Sequence, residues 1–596
     1  MPDVKKQSTV RFILHYLWTA NGFSLKLFFT LSLFFLLSSK VLNALVPIAF
    51  KSIFDFLASD TSGMGAKLNA QYVPIGIILV YAGLRVSSQV LNELKEATFV
   101  LIEQNAVKNI AKQIFAHIHS LSLKFHLNRK SGEITKAVER GVKSVEMILR
   151  FSTFNVIPTF FEIIFVCILL AALYPFYYVV TIFLTLFLYS WYTVGVTEMR
   201  TKYVRQMKVA DNKSGYKAMD SLLNYETVKY FNNEKYEVKS YSALLENYKN
   251  LAIKNRIYLS FLNLGQGFII ATGLIIINYL TVKNIIDGSS TIGDFALVNA
   301  YLLQLYQPLS NLGFAYREIK LAYIDIESMK SILEEKSEVT EKENAPNLDL
   351  KNGSVEFCNV CFGYSSKRQI LKNVSFKINP GATTAIVGKS GAGKSTISKL
   401  VFRFYDPTSG IVKIDDQDIS LFTKQSVHKA IGVVPQDTVL FNDTLYHNIA
   451  YGNPKSATNQ DIIRVAKLTD IHTFIESLPE RYDTIVGERG LKLSGGEKQR
   501  IAIARLLLKN PKIFVFDEAT SSLDTKTERS IQKSIKEIST GHTTLVIAHR
   551  LSTVVEADEI IVLSDGQITE RGNHKELVAK SGLYHQMWQS QEKELN

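Results

Sequence analysis

The sequence predicts a two-part chain: an all-α membrane domain of about six spans, then an α/β domain built around a P-loop. Three observations predict it. Long apolar runs recur from Phe23 to Leu309 and then stop. After about Ser337 the chain alternates between short apolar strands and helical stretches. Gly388–Thr396 reads GKSGAGKST, which fits G-x-x-x-x-G-K-[ST], a loop whose backbone N–H groups wrap phosphates. The composition agrees, with 47% hydrophobic residues among 596 and 35 Phe, too apolar for an ordinary soluble enzyme.

A bilayer core needs roughly 20 apolar residues of helix. Six runs qualify, near Phe23–Phe50, Val73–Val90, Val156–Leu173, Tyr177–Val196, Tyr258–Leu280 and Phe295–Leu312. The connecting stretches Lys95–Arg150 and Arg200–Arg256 are basic, whereas Ser59–Gln71, Tyr174–Pro175 and Lys283–Ser290 are short and carry few basic residues. The positive-inside rule therefore puts the basic stretches and both termini in the cytoplasm, or in a mitochondrial matrix. This asymmetry accounts for most of the net charge of +13, with nucleotide and anionic lipid as counter-partners and no nucleic acid. Leu91–Lys124 lacks Pro and Gly and spaces Phe99, Ile102, Ile110 and Ile114 helically, so a membrane helix is expected to continue into the cytoplasm. The expected organisation is a cytoplasmic segment 1–22, a membrane domain 23–332, a linker 333–352 and a nucleotide-binding domain 353–596. Met1–Asn21 resembles neither a signal nor a transit peptide, and the short N-terminus favours a bacterial inner membrane over a mitochondrial one.

Cys358-x-x-Cys361 has no second CxxC or His pair to complete a metal site. Its segment reads as a strand, where residues three apart point to opposite faces. Glu162, inside the third run, is an intramembrane carboxyl that must be paired, protonated or near an interface.

In the second half, Thr383–Val387 is an expected strand entering the glycine loop, and Ser395–Phe404 the helix leaving it. That order sets phosphates at a helix N-terminus, cradled by Gly388, Lys389, Ser390, Gly391, Ala392, Gly393 and Thr396. Lys394 reaches the β- and γ-phosphates and Ser395 ligates Mg²⁺. KIFVFDEATSSLD (Lys512–Asp524) is an apolar strand ending in two carboxylates, with Asp517 suited to hold Mg²⁺ through water.

About a hundred residues beyond the glycine loop stands LSGGE, Leu493–Glu497. Together with that loop it resembles the ATP-binding-cassette (ABC) ATPases. The resemblance implies that Ser494, Gly495 and Gly496 close over ATP held by a different cassette. It implies that Glu518 polarises the attacking water and that His549, in VIAHR, contacts the γ-phosphate. Gln436, in VVPQD, would sense Mg²⁺, and Tyr364, in FGYSS, would stack on adenine. TIVGERG (Thr484–Gly490) resembles the X-loop of ABC exporters. No motif position is degenerate, which favours a homodimer with ATP and Mg²⁺ at two equivalent sites.

The order of membrane domain then cassette resembles a half-size type I (also called type IV) ABC exporter. Short coupling helices are then implied, at His126–Glu133 and Met219–Thr227. FHLNRKSGEITKAVERG (Phe125–Gly141), LLNYETVKYFNNE (Leu222–Glu234) and YQPLSNLGFAYREIK (Tyr306–Lys320) look like the mitochondrial and alphaproteobacterial exporter linked to iron–sulfur protein maturation. That family handles glutathione and related thiol compounds, so a small anionic thiol is the implied cargo. Motif matching implies a cargo site of Tyr189, Arg200, Asn263, Gln266 and Arg317, with Asn311 and Phe314 lining it. Val204 stands where the family's R-T-K-x-R-R places a second arginine, and Arg205 is the adjacent substitute. Rival readings are a lipid or multidrug exporter of the same architecture, a soluble ABC ATPase and a nucleotide-gated channel.

Overall fold

A computed structural model describes residues 23–58, 66–128, 131–342, 344–365, 368–487, 490, 492–518 and 525–595. The expected segment 1–22, residues 488–489 of the X-loop and residues 519–524 of KIFVFDEATSSLD lie outside the described residues.

The first half is helical. Its elements are α1 (Phe23–Ala58), α2 (Ala66–Ser120), α3 (Leu123–Asn128), α4 (Ser131–Phe151), α5 (Ile157–Leu173), α6 (Phe176–Leu223), α7 (Tyr225–Tyr230), α8 (Glu234–Ile286) and α9 (Ile292–Glu334). A π-helical turn, Ser152–Val156, joins α4 to α5. Helices satisfy their own backbone groups, which a bilayer demands. Five spans among the described residues are long and apolar enough to cross one: Leu25–Ala58, Ile75–Ser120, Ile134–Leu173, Phe176–Leu223 and Glu234–Ile286. The sixth apolar run lies in α9. α2 has 55 residues, so at about 1.5 Å each it greatly exceeds the ~30 Å hydrocarbon core; the helix expected over Leu91–Lys124 stops at Ser120, and Leu123 opens the separate α3. α9 starts at a capping box in which the Thr291 side chain accepts from the Asp294 N–H and the Asp294 side chain accepts from the Thr291 N–H.

The short helices fall a few residues from where the sequence suggested. The first is Leu123–Asn128 rather than His126–Glu133, whose residues 129–130 are not described. The second is Tyr225–Tyr230 rather than Met219–Thr227, because α6 runs unbroken to Leu223 and Asn224 then bonds back to the Asp220 carbonyl at 2.8 Å.

The chain divides into two compact units. One holds α1, α2 and α4 to α9; the other takes Leu121–Asn128 together with the chain from Lys336 onward. Within the second unit Leu123 packs against the main hydrophobic core, and Lys124 pairs with Glu338 at 2.6 Å.

That unit contains two sheets. The smaller has the order β2 (Leu371–Ile378), β1 (Val355–Phe362), β4 (Ser409–Ile414), β5 (Gln417–Asp418). The larger has the order β10 (Gln567–Gly572), β9 (Glu559–Ser564), β3 (Thr383–Val387), β8 (Thr543–Ile547), β7 (Ile513–Asp517), β6 (Ile431–Val434). Its five strands from β9 to β6 are parallel, so their C-terminal ends share one edge. Strands β3 and β7 are almost wholly buried, which explains their unbroken apolar runs. A separate core of Leu445, Ile449, Ile462, Val465 and Ile501 joins α12 (Leu445–Ala450) and α13 (Asn459–Leu468) to α15 (Gly495–Lys509). The other helices here are α10 (Lys394–Val401), α11 (Lys424–Ala430), α14 (His472–Ser477), α16 (Thr525–Ser539), α17 (His574–Ala579) and α18 (Leu583–Leu595).

The strand reading of the cysteine pair is corrected in one respect. Asn359 has φ 48°, and the register shifts between Phe357 and Val360. This bulge inserts one residue, so Val360 is buried three positions after Phe357 rather than two. Cys358 and Cys361 therefore share the half-exposed face; both are free, and no metal cluster occurs among the described residues.

Asp415 ties the start of this unit together. Its Oδ2 accepts from the N–H groups of Lys351, Asn352 and Gly353 at 2.8–3.0 Å, and Oδ1 from that of Ser354 at 2.8 Å. Burial pushes its carboxyl up, but these backbone donors outweigh burial and leave it below the ordinary 3.8. A depressed carboxyl stabilises the fold above its unfolded value and loses that stability as pH falls. Asp415→Ala should cost about 2–3 kcal/mol in chemical denaturation near neutrality. The difference from wild type should shrink on acidification below about pH 4.

Candidate functional site

The C-terminal edge of the larger sheet gathers the motif residues. β3 delivers the glycine loop, β7 ends in Asp517 and Glu518, β8 leads to His549, and β6 leads to Gln436. The loop turns sharply at Gly388, where φ is 153° and a Cβ would lie 2.1 Å from the Leu563 carbonyl oxygen. Gly393 caps α10 at φ 106°, another conformation suited to glycine.

Lys394 is 4% exposed, and its ammonium donates to the Gly388 and Lys389 carbonyls at 2.8 and 3.3 Å. Burial lowers it from the ordinary lysine range, while Glu518 and Asp517 pull it back up. Asp517 is raised by burial, against which the Ser398 hydroxyl donates to Oδ2 at 2.7 Å. The other oxygen, Oδ1, is buried with no hydrogen-bond partner among the described residues. Ser395 lies close enough to act on the same carboxylate.

Glu518 is buried and held at φ 50°, strained for a residue with a side chain. Its N–H donates to the Ile547 carbonyl at 2.9 Å, which pins the strained residue to the end of β8. Its Oε1 lies 3.3 Å from His549 Nε2. His549 is fixed in turn by Gln591 of α18, which donates to the His549 carbonyl and accepts the Leu551 N–H, both at 2.8 Å. Gln436 is exposed; its neighbour Pro435 offers a carbonyl to Gln499 of α15 at 3.4 Å. The Tyr364 hydroxyl meets that of Thr396 at 3.2 Å, which leaves the partly exposed ring beside the start of α10.

Ser494 caps α15, its hydroxyl accepting from the Glu497 N–H at 3.4 Å and Glu497 accepting from the Ser494 N–H at 2.8 Å. Ser494 and Gly495 face solvent. Among the described residues, no hydrogen bond or ion pair joins Ser494–Glu497 to Gly388–Thr396.

The implied cargo residues lie in the helical unit and are only partly brought together. Arg200 of α6 is 5% exposed; its Nε donates to Asn255 Oδ1 of α8 at 2.7 Å, while Nη1 is buried without a partner among the described residues. Thr197, on the same face, also buries an unpartnered hydroxyl. Arg317 stacks over the Phe314 ring at 4.8 Å and pairs with Glu318 at 3.1 Å. Tyr189 is buried. Three expectations are modified. Gln266 turns into the helix interface and donates to Thr193 at 2.8 Å, while Asn263 is exposed, so the two do not share an environment. Val204 occupies the buried face one turn from Arg200, and Arg205 points away from it to the exposed side. Nothing is described of the Asn311 side chain. Asn255, Thr197, Ser398 and Gln591 carry no motif signal and emerge only from contacts between distant segments.

Residues 29–309 match the ABC transporter transmembrane region, and residues 371–521 match the ABC transporter family. An iron–sulfur clusters transporter, ABCB7, mitochondrial, of Danio rerio is 43% identical over 99% of this chain and 80% of its own length. A mitochondrial iron–sulfur clusters transporter, ATM1, of Chaetomium globosum is 43% identical over 97% of this chain and 96% of its own. The solved structure of a bacterial Atm1-family ABC exporter with ATP bound is 42% identical, with a TM-score of 0.87 over 96% of this chain and 99% of that one. A multi-pass helical domain followed by an ATP-hydrolysing cassette, with such relatives across its whole length, places this chain in the Atm1/ABCB7 family of half-size, ATP-driven ABC exporters.

Proposed function

We propose that two identical chains pair to export glutathione-related thiol compounds or iron–sulfur precursors from the cytoplasm or matrix. Pairing is supported by the signature. Ser494 and Gly495 face solvent at the start of α15, where free N–H groups and the helix dipole attract phosphate. A phosphate bound to one chain's glycine loop finds these donors on a second chain. α7 and the residues flanking it support the same reading, because Leu222, Leu223, Tyr225, Tyr230 and Phe231 are all exposed and suit an apolar groove on a partner's cassette.

In the paired site, Lys394 and the loop N–H groups bind ATP. Glu518 orients the attacking water and accepts its proton, and His549 steadies Glu518 and the γ-phosphate. The orphaned Asp517 oxygen beside Ser395 fits a hard cation, so Ser395, Asp517 and, through water, Gln436 would hold Mg²⁺. When bound, Mg²⁺ would neutralise phosphate charge. ATP drives the cycle only by favouring paired over parted cassettes.

The observation that carries the cargo reading is the unpartnered Nη1 of Arg200. A buried guanidinium donor without an acceptor is costly, and a carboxylate of the cargo supplies one. Sterols, neutral lipids and uncharged drugs offer no such anion.

Glu518→Gln should retain ATP while turnover falls about 10²- to 10⁴-fold; near-normal hydrolysis would refute its role as base. Pairing is tested by mixing Lys394→Ala chains with Ser494→Arg chains. Each homodimer lacks a complete site, but the mixed dimer keeps one, so ATP occlusion should return only on mixing. For the cargo, oxidised glutathione should stimulate ATPase activity of the reconstituted protein and accumulate in sealed vesicles. Arg200→Ala should raise the half-stimulating concentration about tenfold to a hundredfold. Stimulation by lipids or drugs alone would favour the rival exporters, and equilibration without accumulation would favour a channel.

A further inference from the structure

Away from Arg200, the helical unit holds a second polar assembly. Glu162 of α5 is 2% exposed; its Oε2 accepts from Lys40 Nζ at 2.6 Å. Its Oε1 accepts from Asn43 Nδ2 at 3.1 Å and from Gln304 Nε2 at 2.8 Å. These groups border a cavity of about 460 Å³ that Arg85 of α2 also lines.

Two further lining residues are Pro47 of α1 and Pro308 of α9, each inside a membrane helix. A proline has no N–H for the carbonyl four residues before it. Those carbonyls belong to Asn43 and Gln304, the two residues whose amides bind Glu162. One place within the spans thus offers a carboxylate, two released carbonyls, an ammonium and a guanidinium. A helix-packing bridge explains Glu162 with Lys40. It explains neither the cavity nor Arg85, which makes no ion pair among the described residues. A charge at mid-membrane costs roughly 2.5–3.5 kcal/mol and marks a pathway or a ligand.

We propose that this cavity is a second cargo station that receives a zwitterionic α-amino-acid head group. Its ammonium sits on Glu162 and the released carbonyls, and its carboxylate sits on Arg85 with Lys40. The proposal rests on the glutathione-related reading, since such compounds carry this head group. α9 runs inward from its outer end at Ile292, so the cavity residues lie outward of Phe314 and Arg317. Leu303, which lines the cavity, and Phe314 are eleven residues apart. They therefore share a helix face about 16 Å apart along the axis. Cargo released from Arg200 meets this station on its way out.

The test is ATP-driven uptake into vesicles by the full-length protein, comparing oxidised glutathione with its N-acetylated form, which lacks the ammonium. Wild type should prefer the free amine about tenfold or more. Glu162→Gln should bring that ratio close to one, and Arg85→Gln should lower uptake of both forms at limiting cargo. Glu162→Gln alone strands Lys40, so the neutral double variant Lys40→Gln/Glu162→Gln must show the same loss of preference, with folding checked by thermal unfolding. An unchanged ratio in the double variant, with normal uptake by Arg85→Gln, overturns the station and leaves the Arg200 reading standing. Wild-type protein that neither transports nor responds to any glutathione compound overturns both.

Discussion

The constraint behind every functional element here is that charge and polarity must be kept where water is scarce. Asp517, Lys394, Glu162 and Arg200 are all ionisable groups largely withdrawn from water, and two of them, Asp517 and Arg200, keep a buried polar atom with no described partner. Asp517 has one oxygen on Ser398 and one on nothing described; Arg200 has Nε on Asn255 and Nη1 on nothing described. Burial of this kind is costly unless the missing partner arrives. A ligand that brings the missing charge therefore gains more than the same contact would yield in water. The fold keeps these groups in place by surrounding them with elements that need no such help, namely self-satisfied membrane helices and fully buried parallel strands.

Strain serves the same end at Glu518. The parallel sheet brings β7 beside β8, and the Glu518 N–H is claimed by Ile547 just as the chain leaves the sheet. The left-handed backbone at φ 50° is the cost of turning the carboxylate toward His549. Gln591 then locks the His549 segment through two backbone bonds, so α18 bears directly on the edge of the sheet that carries Glu518 and His549. A rearrangement of α18 would reach His549 without touching nucleotide.

The cassette was legible in sequence because its chemistry is local. GKSGAGKST, FDE and LSGGE each place their donors and carboxylates within a few consecutive residues at a strand or helix end. The membrane half was legible only as spans. Whether Arg205 can replace Arg200's missing neighbour depends on helix rotation, and Val204 takes the buried face instead. Gln266 finds Thr193, 73 positions away, and Glu162 finds Lys40 at 122. No periodicity encodes such pairings. The CxxC segment failed for a different reason. Alternation assumes an unbroken pleat, and one left-handed Asn359 reset it.

The need for a partner arises twice in this chain, by independent physics. α15 presents an anion-seeking N-terminus that its own glycine loop does not reach by any described bond. α7 presents Tyr225, Tyr230 and Phe231 to solvent, whereas Leu123 of α3 is already packed within the cassette unit. One short helix is thus satisfied within its own chain and the other is not. The second copy proposed as partner would meet both demands at once. The chemical closure over phosphate and the mechanical grip on the helices then become one event, which is what coupling hydrolysis to transport requires.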